Sequence, residues 1–198
     1  YYSKLEGISR SKRQENDAWV GLLDAYFKLG DYTKMRVYAN NILTKGNISQ
    51  DATNRAQLYL AKSAYSEGNF DEAIDQLLTT INAAKDIYGA EAQYILGQIF
   101  YQQKQYQQSL NTLFEFSENF GEYELWLGKA FLLVADNYIA LDELFQAKGT
   151  VNSIIENSTI ETVLSEARIK LTQIENLEKE LAQKEAAQDT TQNKGGNQ

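Results

Sequence analysis

The sequence has neither cysteine nor histidine among its 198 residues. Without cysteine, the chain cannot form disulfides or present a thiolate nucleophile, and it gives no indication of its redox compartment. Without histidine, it lacks both the imidazole base of many catalytic sites and a usual zinc ligand. We therefore predict no catalytic residues, no metal site and no cofactor, and we expect that the protein is not an enzyme.

Proline is also absent, and neither long apolar runs nor an excess of basic residues occurs. A chain without proline favours uninterrupted helices. No stretch reaches the roughly 18 consecutive apolar residues of a transmembrane helix, so we predict no membrane span. The net charge of −8 argues against nucleic acid as a partner, because such binding depends on clustered Lys and Arg.

What the sequence does contain is a repeated helical hairpin. From Trp19 to Ile42, apolar residues recur at helical spacing on both sides of the turn Gly30-Asp31-Tyr32. The turn returns with a period of roughly 36–38 residues, as Gly68-Asn69-Phe70, Lys104-Gln105-Tyr106 and Asp142-Glu143-Leu144. A hairpin repeated at this period predicts stacked hairpins that bury their apolar faces against their neighbours.

The repeats divide the chain into segments of one elongated domain. We predict that the first complete helix starts at Ala18, behind an N-cap at Asn16 or Asp17, and that residues 87–89 lie near a loop. The expected segments are 1–16 for the end of a preceding repeat helix plus a linker, 17–48, 49–88, 89–121 and 122–158 for four hairpins, 159–188 for a capping helix, and 189–198 for a flexible tail. Two alternatives stay open, namely a frayed helix at the N-terminus and a coiled-coil dimerisation helix at 159–188.

The hairpins resemble the tetratricopeptide repeat over roughly residues 17–156. The residues that carry this resemblance are Trp19, Leu22, Tyr26, Gly30, Tyr32, Leu60, Ala61, Tyr65, Gly68, Phe70, Ala73, Leu96, Gly97, Tyr106 and Leu113. Small residues also fit the helix crossings, as Ala61/Ala73, Gly97/Ser109 and Ala135/Ala147. The resemblance implies an all-α fold, a right-handed superhelical solenoid of helical hairpins that binds other proteins. The first hairpin departs from the family pattern, with Leu23 and Met35 at its crossing.

In such a solenoid, the first helix of each hairpin lines the concave face. The free side of these helices combines aromatic and polar residues, which suits an extended peptide or a partner helix. The candidate partner-binding residues are Asp24, Phe27, Lys28, Lys62, Tyr65, Tyr94, Gln98, Tyr101, Asp136 and Ile139. We also expect Leu58 and Leu132 on this side, and core positions remain the alternative for Tyr65 and Tyr101.

Two acidic pairs do not indicate catalysis. Asp71/Glu72 is explained by the preference of a helix N-terminus for negative charge, and Glu122/Glu124 by a solvated loop. The predicted function is therefore a non-catalytic scaffold that binds a peptide or a partner protein in its concave groove, and we expect a monomer.

The run from Trp126 to Tyr138 further resembles large tetratricopeptide proteins of Bacteroidetes-type bacteria, several of them exported. That resemblance implies a periplasmic or envelope-associated assembly, with a cytosolic adaptor or co-chaperone as the alternative. Because the chain begins at Tyr1 rather than at a methionine, we expect a piece of a longer protein. A different class of function stays open, in which the chain is a non-catalytic repeat module of a larger enzyme or sensor.

Overall fold

The computed structural model describes residues 12–45 and 48–195, which form helices joined by short connections, with no strand among them. The helices are α1 (Lys12–Leu29), α2 (Tyr32–Thr44), α3 (Gln50–Ser66), α4 (Phe70–Ala83), α5 (Ile87–Gln102), α6 (Tyr106–Phe114), α7 (Phe116–Phe120), α8 (Glu124–Ala140), α9 (Leu144–Asn157) and α10 (Glu161–Gly195). The predicted all-α class, built of helical hairpins, is confirmed.

The chain divides into two compact units between Ile99 and Phe100, a boundary that lies inside α5. The sequence had led us to expect one elongated domain. We call the part before this boundary unit 1 and the part after it unit 2. Unit 1 contains α1 to α4 and most of α5, and unit 2 contains the end of α5 and α6 to α10.

The first helix begins earlier than predicted. Because α1 starts at Lys12, Asn16 and Asp17 lie inside it and neither is the expected N-cap. Residues 12–15 are good helix formers, and Glu15 places a carboxylate in the first turn, where the helix dipole favours it. The predicted linker is therefore helical from residue 12, while the repeat helix expected near the N-terminus lies outside the described residues.

Each hairpin turns through one residue in the left-handed conformation, at the position that the repeat predicted. The φ angles are 70° at Gly30, 77° at Gly68, 59° at Lys104 and 60° at Asp142. In each turn, the following residue donates its backbone N–H to the carbonyl five residues earlier, over 2.8–3.0 Å. This bond is the one that closes a helix in a Schellman motif.

The start of α5 is fixed by Asp86. Its Oδ1 accepts the backbone N–H groups of Tyr88 at 2.9 Å and Gly89 at 3.3 Å. Its Oδ2 accepts a hydrogen bond from Nδ2 of Asn54 in α3 at 2.7 Å. Residues 87–89 are therefore the first turn of a helix and not the loop that we predicted, because a side-chain cap satisfies the N–H groups there.

The core of unit 1 lies where the first two hairpins pack. Leu23 and Met35, which stand where the repeat family has small residues, are both fully buried. The small residues at the second crossing, Ala61 and Ala73, are fully buried as well. The buried members of the first core cluster are Trp19, Leu23, Met35, Ala39, Ile42, Ala52, Ala56 and Leu60.

In unit 2, the return helix of the third hairpin is split. The predicted hairpin over 89–121 has its return helix in two parts, because α6 ends at Phe114 and α7 begins at Phe116. Phe114 is 45% exposed, whereas Phe116 and Phe120 are buried with ring centroids 5.8 Å apart. Both rings of α7 are thus buried on the same side of the break, and ring pairs of this kind stabilise a core.

Helices α8 and α10 of unit 2 approach closely at Gly128. A Cβ atom at this position would lie 2.7 Å from Cγ1 and 2.9 Å from Cγ2 of Val163. Real Cβ contacts are longer, so only glycine allows this approach. Beyond it, Val163, Ala167 and Ile174 of α10 are buried in a core cluster with side chains of α8 and α9.

Helix α10 runs further than the predicted capping helix. It continues past residue 188 to Gly195, so residues 189–195 are helical where we expected a flexible tail. Residues 182–188 are all good helix formers, and no glycine or proline interrupts the helix between them and Gly195. Residues 196–198 lie outside the described part of the chain.

Candidate partner-binding face

In unit 1, the predicted partner-binding residues lie on the first helices α1, α3 and α5. Lys28 is exposed, and the others are half-buried, namely Asp24, Phe27, Lys62, Tyr65, Tyr94 and Gln98. We call these seven side chains, together with Arg55, Tyr59, Tyr88 and Glu91, the first-helix face of unit 1.

Two residues expected on the free side are instead part of the core. Leu58 is fully buried in unit 1, and Leu132 is 5% exposed in unit 2. In α3, buried residues recur at almost every second position, which shows that this helix is enclosed on more than one side. The prediction assumed that each first helix buries only one apolar side, and α3 buries more of its surface than that.

A stack of two aromatic rings lies in the middle of the first-helix face. The rings of Phe27 in α1 and Tyr59 in α3 have centroids 3.9 Å apart and planes 15° from parallel. The Lys62 ammonium lies 5.2 Å from the Phe27 centroid and pairs with the carboxylate of Glu91 in α5 at 2.5 Å. These contacts join three helices, so the rings are held in place by the protein itself.

Arg55 of α3 connects the same three helices through its guanidinium group. It donates from Nη1 to Asp24 of α1 at 2.8 Å, from Nη2 to Asp51 at 2.6 Å, and from Nε to the Tyr88 hydroxyl of α5 at 3.0 Å. The Tyr88 hydroxyl in turn donates to the other oxygen of Asp51 at 3.1 Å. The planar guanidinium fork makes this possible, because it presents five N–H donors in fixed directions.

The Tyr59 hydroxyl is held in its neutral form. Burial and the negative charge of nearby Asp24 raise the pKa of Tyr59 to about 12, against the opposing charge of Arg55. The carboxylate of Asp24 thus interacts with Arg55 and Tyr59 inside the first-helix face. The sequence analysis predicted this carboxylate as a group that a partner would bind.

The remaining aromatic residues of this face are also supported by neighbours. The Tyr65 ring is tilted against that of Phe70, with centroids 6.1 Å apart. Gln98 donates from Nε2 to the hydroxyl of Tyr94 at 3.1 Å. Tyr65 and Tyr94 keep part of their surface exposed, as residues that contact a partner require.

In unit 2, the predicted residues are Tyr101, Asp136 and Ile139. Tyr101 is half-buried against Tyr106, with ring centroids 5.7 Å apart, and its pKa is raised by burial and by the charge of Asp136. Asp136 forms an ion pair with Lys170 of α10. Ile139 packs against the core cluster of α8, α9 and α10.

Sequence reasoning did not find Arg55, Tyr88, Glu91 and Lys170, which complete these contacts. The bonded pairs that they form between first helices, or between α8 and α10, join residues 29–34 positions apart. That separation is close to one repeat, so each pair ties a helix to its counterpart in the following repeat. A search for opposite charges about one repeat apart would have identified Arg55, Glu91 and Lys170, but not the uncharged hydroxyl of Tyr88.

Among the described residues, no three Asp or Glu side chains are grouped so that they could hold a metal ion. Of the acidic pairs in the sequence, Glu72 forms an ion pair with Arg36 at 2.8 Å, and Glu124 accepts a hydrogen bond from Thr159 at 3.0 Å.

Within the described ranges, none of the helices combines the length and apolar character needed to cross a membrane.

Residues 58–115, from the middle of α3 to the end of α6, match the tetratricopeptide repeat family. No curated protein matches the chain. Several solved structures are similar, among them PilF of Pseudomonas aeruginosa, with 20% identity and a TM-score of 0.64 over 86% of this chain and 72% of PilF.

Two further structures show the same likeness. BtubC from P. vanneervenii has 15% identity and a TM-score of 0.69, over 97% of this chain and 84% of BtubC. A putative kinesin light chain with tetratricopeptide-like repeats, from Podosopora anserina, has 16% identity and a TM-score of 0.56 over 97% of this chain and 98% of its own. At these identities the likeness is one of fold. Together with the matched segment, it confirms the resemblance found in the sequence, and residues 58–115 carry the tetratricopeptide repeat.

Proposed function

We propose that this chain is a non-catalytic scaffold that binds a peptide or a partner protein through the first-helix face of unit 1. The tetratricopeptide repeat supports the proposal, because this fold typically serves protein–protein interaction. In unit 2, we propose Tyr101, Asp136 and Ile139 as a separate set of partner-binding residues.

The observation that carries the proposal is the stack of Phe27 on Tyr59, with Lys62 beside it. Rigid, half-exposed aromatic rings make good binding residues, since they offer a large contact area and lose little conformational entropy when a partner docks. The ion pairs beneath them fix three helices and so fix the spacing of the rings.

The charged residues of the face have a supporting role in this proposal. Asp24 and Lys62 are engaged by Arg55 and Glu91, so the energy of binding comes mainly from burial of aromatic surface. Interactions of that kind are screened little by salt. We expect the partner's Kd to change less than about threefold between roughly 50 and 500 mM salt, in contrast to binding by unpaired charges.

The test compares two phenylalanine variants for binding to a partner isolated from the protein's own organism. Phe27→Ala removes one ring of the stack, and Phe145→Ala is its matched control, because Phe145 is 86% exposed on α9 and lies outside the first-helix face. We expect Phe27→Ala to weaken binding about tenfold or more, and Phe145→Ala to leave it unchanged. Equal losses in the two variants would contradict the proposal.

Tyr65→Ala tests the alternative that an aromatic residue of this face is structural. We expect weaker partner binding with little change in the melting temperature, because the ring is only half-buried. A large fall in melting temperature with unchanged binding would assign Tyr65 to the core.

The proposed setting is a bacterial envelope assembly. Its support is the resemblance of the run from Trp126 to Tyr138 to exported tetratricopeptide proteins. Fractionation of the protein's own organism, with detection of the full-length protein by antibody, tests this setting. Recovery in the cytosolic fraction would favour a cytosolic adaptor.

A further inference from the structure

Unit 2 contains a cavity of about 330 Å³ between the N-terminal half of α8 and the C-terminal end of α9. Its size is near the lower limit of pockets that hold small ligands, roughly 300 Å³, and so suits one long side chain. The cavity residues of α8, Glu124 to Phe131, lie in the N-terminal half of that helix, whereas Asp136 and Ile139 lie in its C-terminal half.

The cavity lining combines apolar and polar residues, and we call the part at Glu124 and Thr159 its polar end. Leu127 and Phe131 of α8 and Ile154 of α9 supply the apolar wall. Glu124 and Thr159 stand at the polar end, where the threonine hydroxyl donates to Oε2 of Glu124 at 3.0 Å. The other carboxylate oxygen, Oε1, carries the same charge and can accept further donors.

The electrostatics of the polar end favour a cation. Helix α9 ends at Asn157, beside the cavity, and the C-terminus of a helix carries partial negative charge on its free carbonyl groups. Glu156, close in sequence to the lining residues, is exposed and adds negative charge. The nearest lysine in α8, Lys129, lies over the ring of Trp126 at 4.4 Å.

We propose that this cavity binds an arginine side chain of a partner protein. The aliphatic stem of arginine matches the wall of Leu127, Phe131 and Ile154, and its guanidinium matches the carboxylate of Glu124 and the carbonyl groups that end α9. Arginine is favoured over lysine because its planar fork can donate to several acceptors at once and is less strongly hydrated. The proposal rests on the proposed function as a partner-binding scaffold, and it adds a contact outside the first-helix face.

The experiment titrates the full chain with N-acetyl-arginine amide and with N-acetyl-citrulline amide, a neutral compound of nearly the same shape. Binding is followed by the backbone amide signals in nuclear magnetic resonance spectra. We expect saturable shifts in residues 124–131 and 153–159 with the arginine compound, and at least about tenfold weaker binding of the citrulline compound.

Two isosteric variants distinguish binding of the arginine compound in the cavity from its general attraction to an acidic surface. Glu124→Gln keeps an acceptor for Thr159 but removes the charge, so we expect it to bind the arginine compound about tenfold more weakly. Glu122→Gln removes the same charge two residues away, outside the cavity lining, and should bind as the wild type does.

Equal binding of the two compounds, equal losses in the two variants, or shifts confined to other residues would each overturn the proposal. These results do not depend on the first-helix face, because the probe is a single amino-acid derivative and the signals belong to unit 2. A negative result in the Phe27→Ala test would therefore not change the interpretation of this titration. A negative result in this titration would not change the interpretation of the Phe27→Ala test.

Discussion

The two units build the same hairpin turn from different residues. In unit 1, the left-handed position is occupied by Gly30 and Gly68, whereas in unit 2 it is occupied by Lys104 and Asp142, with φ angles of 59° and 60°. A side chain with a Cβ atom makes this conformation unfavourable by about 1–2 kcal/mol, and glycine avoids that strain. Unit 2 therefore keeps the turn in spite of this strain, and we attribute the turn to packing of the two helices that it joins.

The units also differ in how successive helices are tied together. In unit 1, Arg55 bonds to Asp24, Asp51 and Tyr88 and so joins α1, α3 and α5. In unit 2, Lys170 joins α10 to Asp136 of α8. The comparison suggests that a guanidinium group stabilises the stacking of three helices, where an ammonium group connects two.

The largest effect that we expect comes from removing these two cations. Arg55→Met leaves Asp24 and Asp51 without their guanidinium partner and should lower the unfolding free energy of unit 1 by about 2–3 kcal/mol. Lys170→Met should cost unit 2 about 1 kcal/mol. Urea unfolding measures both, because Trp19 reports on unit 1 and Trp126 on unit 2, and each can be followed alone after the other is changed to Phe. Equal losses of unfolding free energy in the two variants would show that the contacts of Arg55 and of Lys170 do not differ in strength.

The next effect concerns two helical glycines of unit 2. Gly128→Ala places a Cβ atom against Val163 and should destabilise unit 2 by about 1–2 kcal/mol. Gly149→Ala is the matched control, since it has open space around it and should stabilise its helix by about 0.5–1 kcal/mol. In the double variant Gly128→Ala/Val163→Ala, the loss should be smaller than the sum of the single losses. Strict additivity would show that the two helices do not meet at this glycine.

A third, smaller effect tests the turns themselves. Exchanging residues between the units should reverse the strain, so Lys104→Gly should stabilise unit 2 and Gly30→Ala should destabilise unit 1, each by about 1 kcal/mol. No atom lies within 4 Å of a Cβ built at Gly30, which means that the effect comes from the backbone alone. Thermal unfolding of the single variants provides the measurement. A destabilised Lys104→Gly variant would mean that the lysine side chain itself supports the turn.

The smallest effect appears only at alkaline pH and distinguishes unit 1. The pKa of Tyr59 is about 12 in the folded protein and 10.0 in its ordinary state, so the folded chain retains a proton that the unfolded chain loses. The contribution of the protonated Tyr59 hydroxyl to the unfolding free energy is complete below pH 10 and disappears as the pH rises through about 12. Tyr59→Phe should therefore make stability fall less steeply across this range. In the same variant, the titration of tyrosinate absorbance against pH should lose the step at the highest pH. An unchanged titration would contradict the pKa assigned to Tyr59.

Much of the fold could be predicted because its signals are local. The four turn positions follow from a repeat that is visible in the sequence, and the small residues Ala61 and Ala73 identify a helix crossing. Helix boundaries were harder to predict, since the start of α5 depends on Asp86 and the break before Phe116 depends on which rings are buried. These features arise from contacts made after the chain has folded.

The sequence predicted which helices carry the candidate residues, but it did not predict which of the charged residues are paired. Phe27 and Tyr65 were placed on the correct helices, while Asp24, Lys62 and Asp136 proved to be bonded to residues about one repeat away. A helical pattern shows which side of one helix a residue occupies, but it does not show which residue of the next helix stands opposite. Leu58 illustrates the same limit, because its burial depends on neighbours on more than one side of α3.

The carboxylate of Asp86 has a consequence for how unit 1 loses its structure. It begins α5 through Tyr88 and Gly89, and at the same time holds Asn54 of the preceding hairpin. Melting α5 alone would release both sets of bonds, so the helix and the hairpin before it should exchange their amide hydrogens with solvent in one cooperative event. The second hairpin and the start of α5 should therefore unfold together rather than one after the other.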